Sequence, residues 1–210
     1  MLLLLARHGE TDWLPEYRYQ GSTDVPLNEK GRHQTQCLVR HLASFAPAAV
    51  YTSPKSRTRD AAQGLASLAG IPLKIDERLV ERHFGEWEGL TWDEIQARYP
   101  QEVGRYRDGA AEFSPQGGET LKQVLSRWQS FLKDLIAGHQ EETVAVMSHG
   151  GFIRVAILDV LRSPLTTFHK IQQDPGAVNV IRGDEAFLRV MLLNSTGHLV
   201  ENGVSWRSQF

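Results

Sequence analysis

Leu2-Leu3-Leu4-Leu5-Ala6-Arg7-His8-Gly9-Glu10-Thr11 stands at the start of the chain. Its short, continuous apolar run stops at Arg7-His8-Gly9, which suits a buried strand. The polar residues that follow then lie at the carboxyl end of that strand. In open parallel sheets this is where ligands bind, in a crevice outside the strand ends. Arg7 offers a planar fork for phosphate oxygens, and His8 can act as nucleophile, base or ligand. Gly9 permits a close backbone approach. Alone, the tripeptide fits a surface turn as readily as a site.

Outward from this stretch, strands alternate with helices. Asn28–Phe45 reads as a helix, with Leu38, Leu42 and Phe45 on one face and Asn28 as its N-cap. Ala49–Thr52 is a strand closed by Ser53-Pro54, Ser56–Ala69 an Ala-rich helix closed by Gly70, and Leu73–Ile75 a third strand. Leu121, Leu125, Trp128, Leu132 and Leu135 mark a helical stripe. Thr143–Met147 then reads as a strand and Phe152–Leu161 as a helix. Val178–Ile181 and Phe187–Leu192 read as a strand pair around Gly183-Asp184. Residues 78–117 are less regular, rich in Gly, Pro and aromatics, with one short helix expected at Thr91–Tyr99. They read as an insertion over one end of the core within a single domain, residues 1–210. The alternation predicts an α/β sandwich with a mostly parallel sheet.

Composition narrows the function classes. The chain has 210 residues and a formal charge of −2, which argues against bulk nucleic-acid affinity and against a polybasic membrane surface. The single cysteine, Cys37, excludes an intramolecular disulfide and a Cys-based zinc site, and reads as an ordinary helix residue. The N-terminal apolar run is too short for a signal peptide or a span, and no other stretch reaches about 18 apolar residues. A soluble, cytoplasmic protein is expected.

Three further constellations carry potential chemistry. Ser148-His149-Gly150-Gly151 again follows an apolar strand and opens a helix, which puts His149 beside free N–H groups at a ready anion site. Two such histidines meet if their strands are neighbours. Ser53-Pro54-Lys55-Ser56-Arg57 repeats the strand-to-helix context, and Arg57 could reach the same crevice; Lys55 and Arg59 read as solvated charges. Glu81-Arg82-His83-Phe84-Gly85-Glu86-Trp87-Glu88-Gly89 reads as a shaped loop, although spacing does not single out one carboxylate. His33, His41 and His139 read as solvent-facing, His83 as ambiguous, and His169 and His198 lack a supporting pattern. A metal site on His8 and His149 lacks a third ligand, so no metal or cofactor is expected. No P-loop or dinucleotide fingerprint is present.

Leu5–Thr11, Gln20-Gly21, Asp24–Leu27, Gly31, Gln34, Thr52-Ser53-Pro54, Arg57, Leu79, Glu81–Gly85, Trp87–Gly89, Gly118-Glu119-Thr120 and Ser148–Gly151 occur in this order. Together they resemble the histidine phosphatase superfamily, also called phosphoglycerate mutase-like, over roughly residues 2–199. The resemblance implies a three-layer αβα sandwich with a phosphate pocket and a phosphohistidine intermediate. By the same resemblance His8 is the nucleophile, Arg7, Arg57 and His149 clamp the phosphoryl group, and Glu81 is the acid/base. Gln20, Gly21 and Gly150 contact the substrate. A protonated His149 and a protonated Glu81 are expected on charge grounds. Two departures are Leu14, where many members have Asn, and Ala61, where many have Thr. The expected reaction is hydrolysis of a small phosphate ester, with α-ribazole 5′-phosphate or a broad range of esters as substrate. Phosphoglycerate mutase is the alternative. It is disfavoured because the insertion is short and offers only the separated Arg105 and Arg107. Trp87, Trp92, Tyr99, Tyr106 and Phe113 are expected either to rim the pocket or to pack the insertion onto the core.

Overall fold

In the computed structural model, which describes residues 1–109 and 111–205, the opening apolar run is strand β1, Leu2–Arg7. β2 is Ala49–Thr52, β3 Leu73–Ile75, β4 Thr143–Ser148, β5 Val178–Gly183 and β6 Leu188–Ser195. They form one six-stranded sheet in the order β3-β2-β4-β1-β5-β6. The β3–β2, β2–β4 and β4–β1 pairs are parallel, whereas β1–β5 and the β5–β6 hairpin are antiparallel. The sheet is therefore mostly parallel, with an antiparallel pair along one side.

Period-two side-chain alternation builds the layers. Leu3, Leu5, Val144 and Val146 face one core, and Leu4, Ala6, Ala145 and Met147 the other. The first core is closed by α5 (Leu121–Gly138) and α6 (Gly150–Val160), through Val124, Trp128, Phe131 and Phe152. The second is closed by α1 (Glu29–Ala43) and α2 (Ser56–Ala69), through Leu38, Leu42, Ala61, Ala62 and Leu65. This is the αβα sandwich expected from the sequence. Asn28 caps α1, accepting the Gly31 N–H at 2.8 Å. A final short helix, Gly197–Val200, packs against α1.

Most element ends shift from expectation by one to three residues, and two differences bear on the site and the segment over it. α6 begins at Gly150, two residues early, so His149 is its N-cap. Within residues 78–117, a helix at Pro100–Gly109 (α4) follows the expected one, here Trp92–Arg98 (α3). Pro100 and Gly104, part of the composition that made this segment look irregular, both lie within α4. Proline is well suited to the first helical position, where its missing N–H costs nothing. Trp87, Ile95, Val103 and Phe113 form a satellite core under this segment.

Candidate active site

β4 is the parallel neighbour of β1, with Arg7 opposite Ser148. This register brings the two strand-to-loop junctions together. The His8 N–H donates to the Ser148 carbonyl at 3.2 Å, and the His8 and His149 rings lie 5.2 Å apart at 63°. β2 flanks β4 on the other side, so Arg57 enters from the first turn of the helix after β2. Arg7, His8, Gln20, Gly21, Arg57, Glu81 and Gly150 all line one cavity of about 420 Å³. His149 lies directly behind it, fully buried.

The hydrogen bonds assign the ring protons. His8 Nδ1 lies 2.7 Å from the Gly9 carbonyl, which only accepts, so Nδ1 carries the hydrogen and Nε2 keeps its lone pair. Burial pushes the His8 pKa well below the usual histidine range, and Arg57 and Arg7 push it the same way. His149 Nδ1 accepts from Arg57 Nε at 3.2 Å, so its proton sits on Nε2 and is donated to Ser53 Oγ at 2.8 Å. Burial, then Arg57 and His8, also hold His149 well below the usual range. Without a bound anion, His149 is thus a neutral ring that orients Arg57. Ser53, part of a motif in the sequence but without a role read there, fixes its tautomer.

Arg57 is fully buried, with Nη1 donating to the Thr23 carbonyl at 2.7 Å and Nη2 to that of Gly21 at 2.8 Å. Glu88 secures the loop that supplies these carbonyls. It accepts the N–H groups of Ser22, Thr23 and Phe84 at 2.9, 3.0 and 3.0 Å and meets both hydroxyls. Burial pushes the Glu88 carboxyl up, yet the bonds from Thr23, Ser22 and Phe84 outweigh it and leave it below the usual range. Arg7 donates to the Gln173 carbonyl, and burial with nearby Arg154 pushes it down to about 10, so it stays charged at neutral pH. The close approach permitted by Gly9 is to the protein itself: a Cβ there would lie 2.4 Å from the Gly31 carbonyl oxygen.

Glu81 is singled out among the loop carboxylates. Its oxygens accept the N–H groups of Gly151 and Phe152, both at 2.9 Å, and of Arg82 at 2.8 Å. It therefore sits on the N-terminus of α6 as an acceptor, the favourable end of the helix for a carboxylate. This geometry holds Glu81 in the cavity wall. Buried Arg82 braces it from behind, donating to the carbonyls of Glu119 and Phe113, both at 2.8 Å. Glu86 is exposed.

Tyr19, Arg154, Phe168, His169 and Gln173 also line the cavity and were not anticipated as site residues. For Arg154 a signal existed: it follows Gly150 and Gly151 by four and three residues, hence on one face of α6. The aromatics of residues 78–117 divide. Trp92 and Tyr106 reach the cavity, while Trp87 and Phe113 are buried in the satellite core and Tyr99 packs against it. Leu14 lines the cavity, whereas Ala61 is core. Among the other histidines, His33 is exposed as expected. His139 is not: it is buried, 2.9 Å from Tyr51 Oη and 2.6 Å from Glu142. His41 is half-buried and stacks on His198 at 4.7 Å. Among the described residues no cluster of His, Cys, Asp and Glu could hold a metal, and no helix is long and apolar enough to cross a membrane.

Comparison with known proteins agrees with this architecture. Residues 3–196 match the family model of the histidine phosphatase superfamily (branch 1). Phosphoserine phosphatase 1 of Hydrogenobacter thermophilus is 32% identical over 199 residues, covering 95% of this chain and 94% of its own. Among solved structures, Bacillus stearothermophilus YhfR superposes with a TM-score of 0.87 at 32% identity, over 94% of this chain and 98% of its own. The α-ribazole phosphatase of Shigella flexneri superposes with a TM-score of 0.85 at 25% identity, over 93% of this chain and 96% of its own. With its fold, its paired histidines and these relatives, the chain belongs to the histidine phosphatase superfamily, branch 1, and is an enzyme of the histidine phosphatase type.

Proposed function

We propose that the protein is a phosphomonoesterase that transfers the phosphoryl group of a small ester first to His8 Nε2 and then to water. The observation that supports this most is the His8 ring. It is neutral, its proton is fixed on Nδ1 by the Gly9 carbonyl, and its free lone pair belongs to a ring that shares the cavity with the Arg7 and Arg57 guanidinium groups. In the first step the Nε2–P bond forms as the ester P–O bond breaks, and a proton on Glu81 passes to the leaving oxygen. The phosphorylated ring still carries Nδ1–H and is formally positive, which the Gly9 carbonyl stabilises. In the second step water attacks phosphorus, returns a proton to Glu81 and displaces neutral His8. Ester and water thus give alcohol and phosphate.

Arg7 and Arg57 would meet the peripheral oxygens and stabilise the transition-state charge. A bound dianion favours protonation of His149. On protonation, His149 Nδ1 would change from an acceptor for Arg57 into a third donor to phosphate. The mutase alternative needs a basic pair that holds the substrate while the phosphoryl group returns to it. Arg105 is exposed, stacks 5.7 Å over Phe113 and is not part of the cavity wall. The Arg107 side chain lies outside the described residues. This favours water as the acceptor.

Glu81→Gln tests the scheme, because protonation matters for a poor leaving group and little for p-nitrophenolate. Hydrolysis of alkyl phosphates should slow roughly 10²–10⁴-fold. Phosphorylation by p-nitrophenyl phosphate should fall far less, with phosphohistidine accumulating, and the exposed Glu86→Gln control should show neither effect. Equal slowing of both ester classes without a phosphoenzyme would make Glu81 a structural carboxylate. Conversion of 3-phosphoglycerate to its 2-isomer by the wild type would favour the mutase.

A further inference from the structure

Of the two guanidinium groups assigned to the phosphoryl group, Arg7 is the less tethered. Arg57 makes three hydrogen bonds, to the Thr23 and Gly21 carbonyls and to His149. Arg7 makes one to a described residue, from Nη1 to the Gln173 carbonyl, and its Nε is buried without a partner. Gly150 packs against the same guanidinium, where a Cβ would lie 3.1 Å away. The Gln173 carbonyl therefore sets the direction of the remaining Arg7 donors, so whatever fixes residues 172–176 fixes this half of the clamp.

That turn is held from behind the cavity. Asp174 and Asn179 are buried, and neither they nor Asn194 line the cavity. Asn179, the sheet partner of Leu5, exchanges two hydrogen bonds with the Gln173 side-chain amide, at 2.8 and 2.9 Å, and donates to the Leu5 carbonyl at 3.1 Å. Beside it the β5–β6 register slips. Val178 faces Ser195 and Val180 faces Leu192, so Leu193 and Asn194 together oppose Asn179. This is a β-bulge, a device that re-aims a side chain. Asn194 takes the left-handed conformation, φ 51°, which asparagine visits more readily than most residues. Its N–H donates to Asn179 Oδ1 at 2.9 Å, and its side chain meets Asp174 twice. Oδ1 accepts the Asp174 N–H at 2.7 Å, and Nδ2 donates to the Asp174 carboxylate at 2.6 Å. An N–H only donates and a carboxylate only accepts, so an amide at position 194 answers both, whereas a carboxylate there would oppose Asp174. Further along the turn, the Gly176 N–H donates to the His8 carbonyl at 3.0 Å. Asp174 also acts on Arg7 by charge: burial and Arg154 lower the Arg7 pKa, and Glu81 and Asp174 oppose them.

We propose that Asn194, outside the cavity, is a positioning residue: by clamping Asp174 at its N–H and its carboxylate it fixes the 172–176 turn, and through the Gln173 carbonyl it aims Arg7 at the phosphoryl oxygens. The inference rests on the phosphatase reading above for the group that Arg7 grips. It adds a residue that acts on the phosphoryl group only through Arg7.

Asn194→Gly tests this, because glycine is at ease in the left-handed conformation and only the side chain is lost. Calorimetric titration with inorganic phosphate and with orthovanadate should show affinities reduced on the order of 10-fold, the scale of one hydrogen bond to a charged group. With p-nitrophenyl phosphate the loss should appear mainly in KM. Asn194→Asp should lose at least as much, since it sets two carboxylates against each other. Combining it with Asp174→Asn restores a donor facing an acceptor and should recover most of the affinity. In an Arg7→Gln background, Asn194→Gly should add nothing. Unchanged anion affinity in both single variants would overturn the proposal, as would no recovery in the exchanged pair or an additive loss in the Arg7→Gln background. Absence of phosphate release from p-nitrophenyl phosphate by the wild type would overturn the phosphatase reading, while the titrations, which need no turnover, would still decide whether Asn194 sets Arg7. A wild type that binds neither anion would overturn both.

Discussion

His8 and His149 are buried in a pocket of guanidinium groups, and both forces on them act in one direction. Burial penalises the imidazolium, and the neighbouring arginines repel it. The folded protein therefore holds both rings neutral at a pH where unfolded histidines begin to bind protons. The unfolded state binds more protons as pH falls below about 6.5, so stability is lost there. Each of the two rings contributes a slope of ~1 kcal/mol per pH unit between the unfolded value and its own lowered one. His198, pushed down to about 4 chiefly by burial, acts in the same sense. Urea midpoints at pH 7.5, 6.5 and 5.5 should fall steadily, and more gently in His149→Asn. A flat profile would contradict the buried neutral pair. The sequence context of His8 and His149 already pointed to a site, because each stands where an apolar strand stops. Ser53, His169 and the environment of His139 were not legible, since their partners lie 96, 63 and 88 residues away in the chain.

At the scale of elements, the site depends on loops that are fastened to one another. Glu88, in the turn after a short 3-10 helix at Gly85–Trp87, anchors the 22–23 loop, and that loop fixes Arg57. Glu88→Ala would leave several donors unpaired and should cost about 1–3 kcal/mol of stability. It should also raise KM through a looser Arg57. Chemical denaturation and steady-state kinetics on one preparation check both; an unchanged midpoint and KM would show the loop to be held otherwise. Spacing alone presented Glu81, Glu86 and Glu88 as equivalent members of a shaped loop, and only the family resemblance pointed to Glu81. In the structure the approach of the α6 N-terminus to Glu81, and of residues 22–23 to Glu88, distinguishes them. The helix at Pro100–Gly109 escaped for a different reason. Its amphipathic signal is interrupted by Gly104, and it is held in place by Trp87 and Phe113 from outside its own sequence.

At the scale of the molecule, strand order creates the chemistry. β4 lies between β1 and β2, so three junctions far apart in the chain, at His8, Ser53 and His149, share one edge of the sheet. Apolar runs and their alternation made the layers and most element boundaries readable in advance. Strand order was not readable in the same way, because a continuously apolar strand fits any central position. Repetition of one context at His8 and His149 was the indirect clue that their strands are neighbours. The central claim is that this arrangement makes His8 the phosphoryl carrier. Rapid acid-free quenching of the enzyme with labelled p-nitrophenyl phosphate, followed by peptide mapping, tests it most directly. The expected result is a transient, acid-labile phosphoryl group on the peptide bearing His8, absent from His8→Ala, which should be inactive. Label on His149 or on no residue, or substantial turnover by His8→Ala, would contradict it.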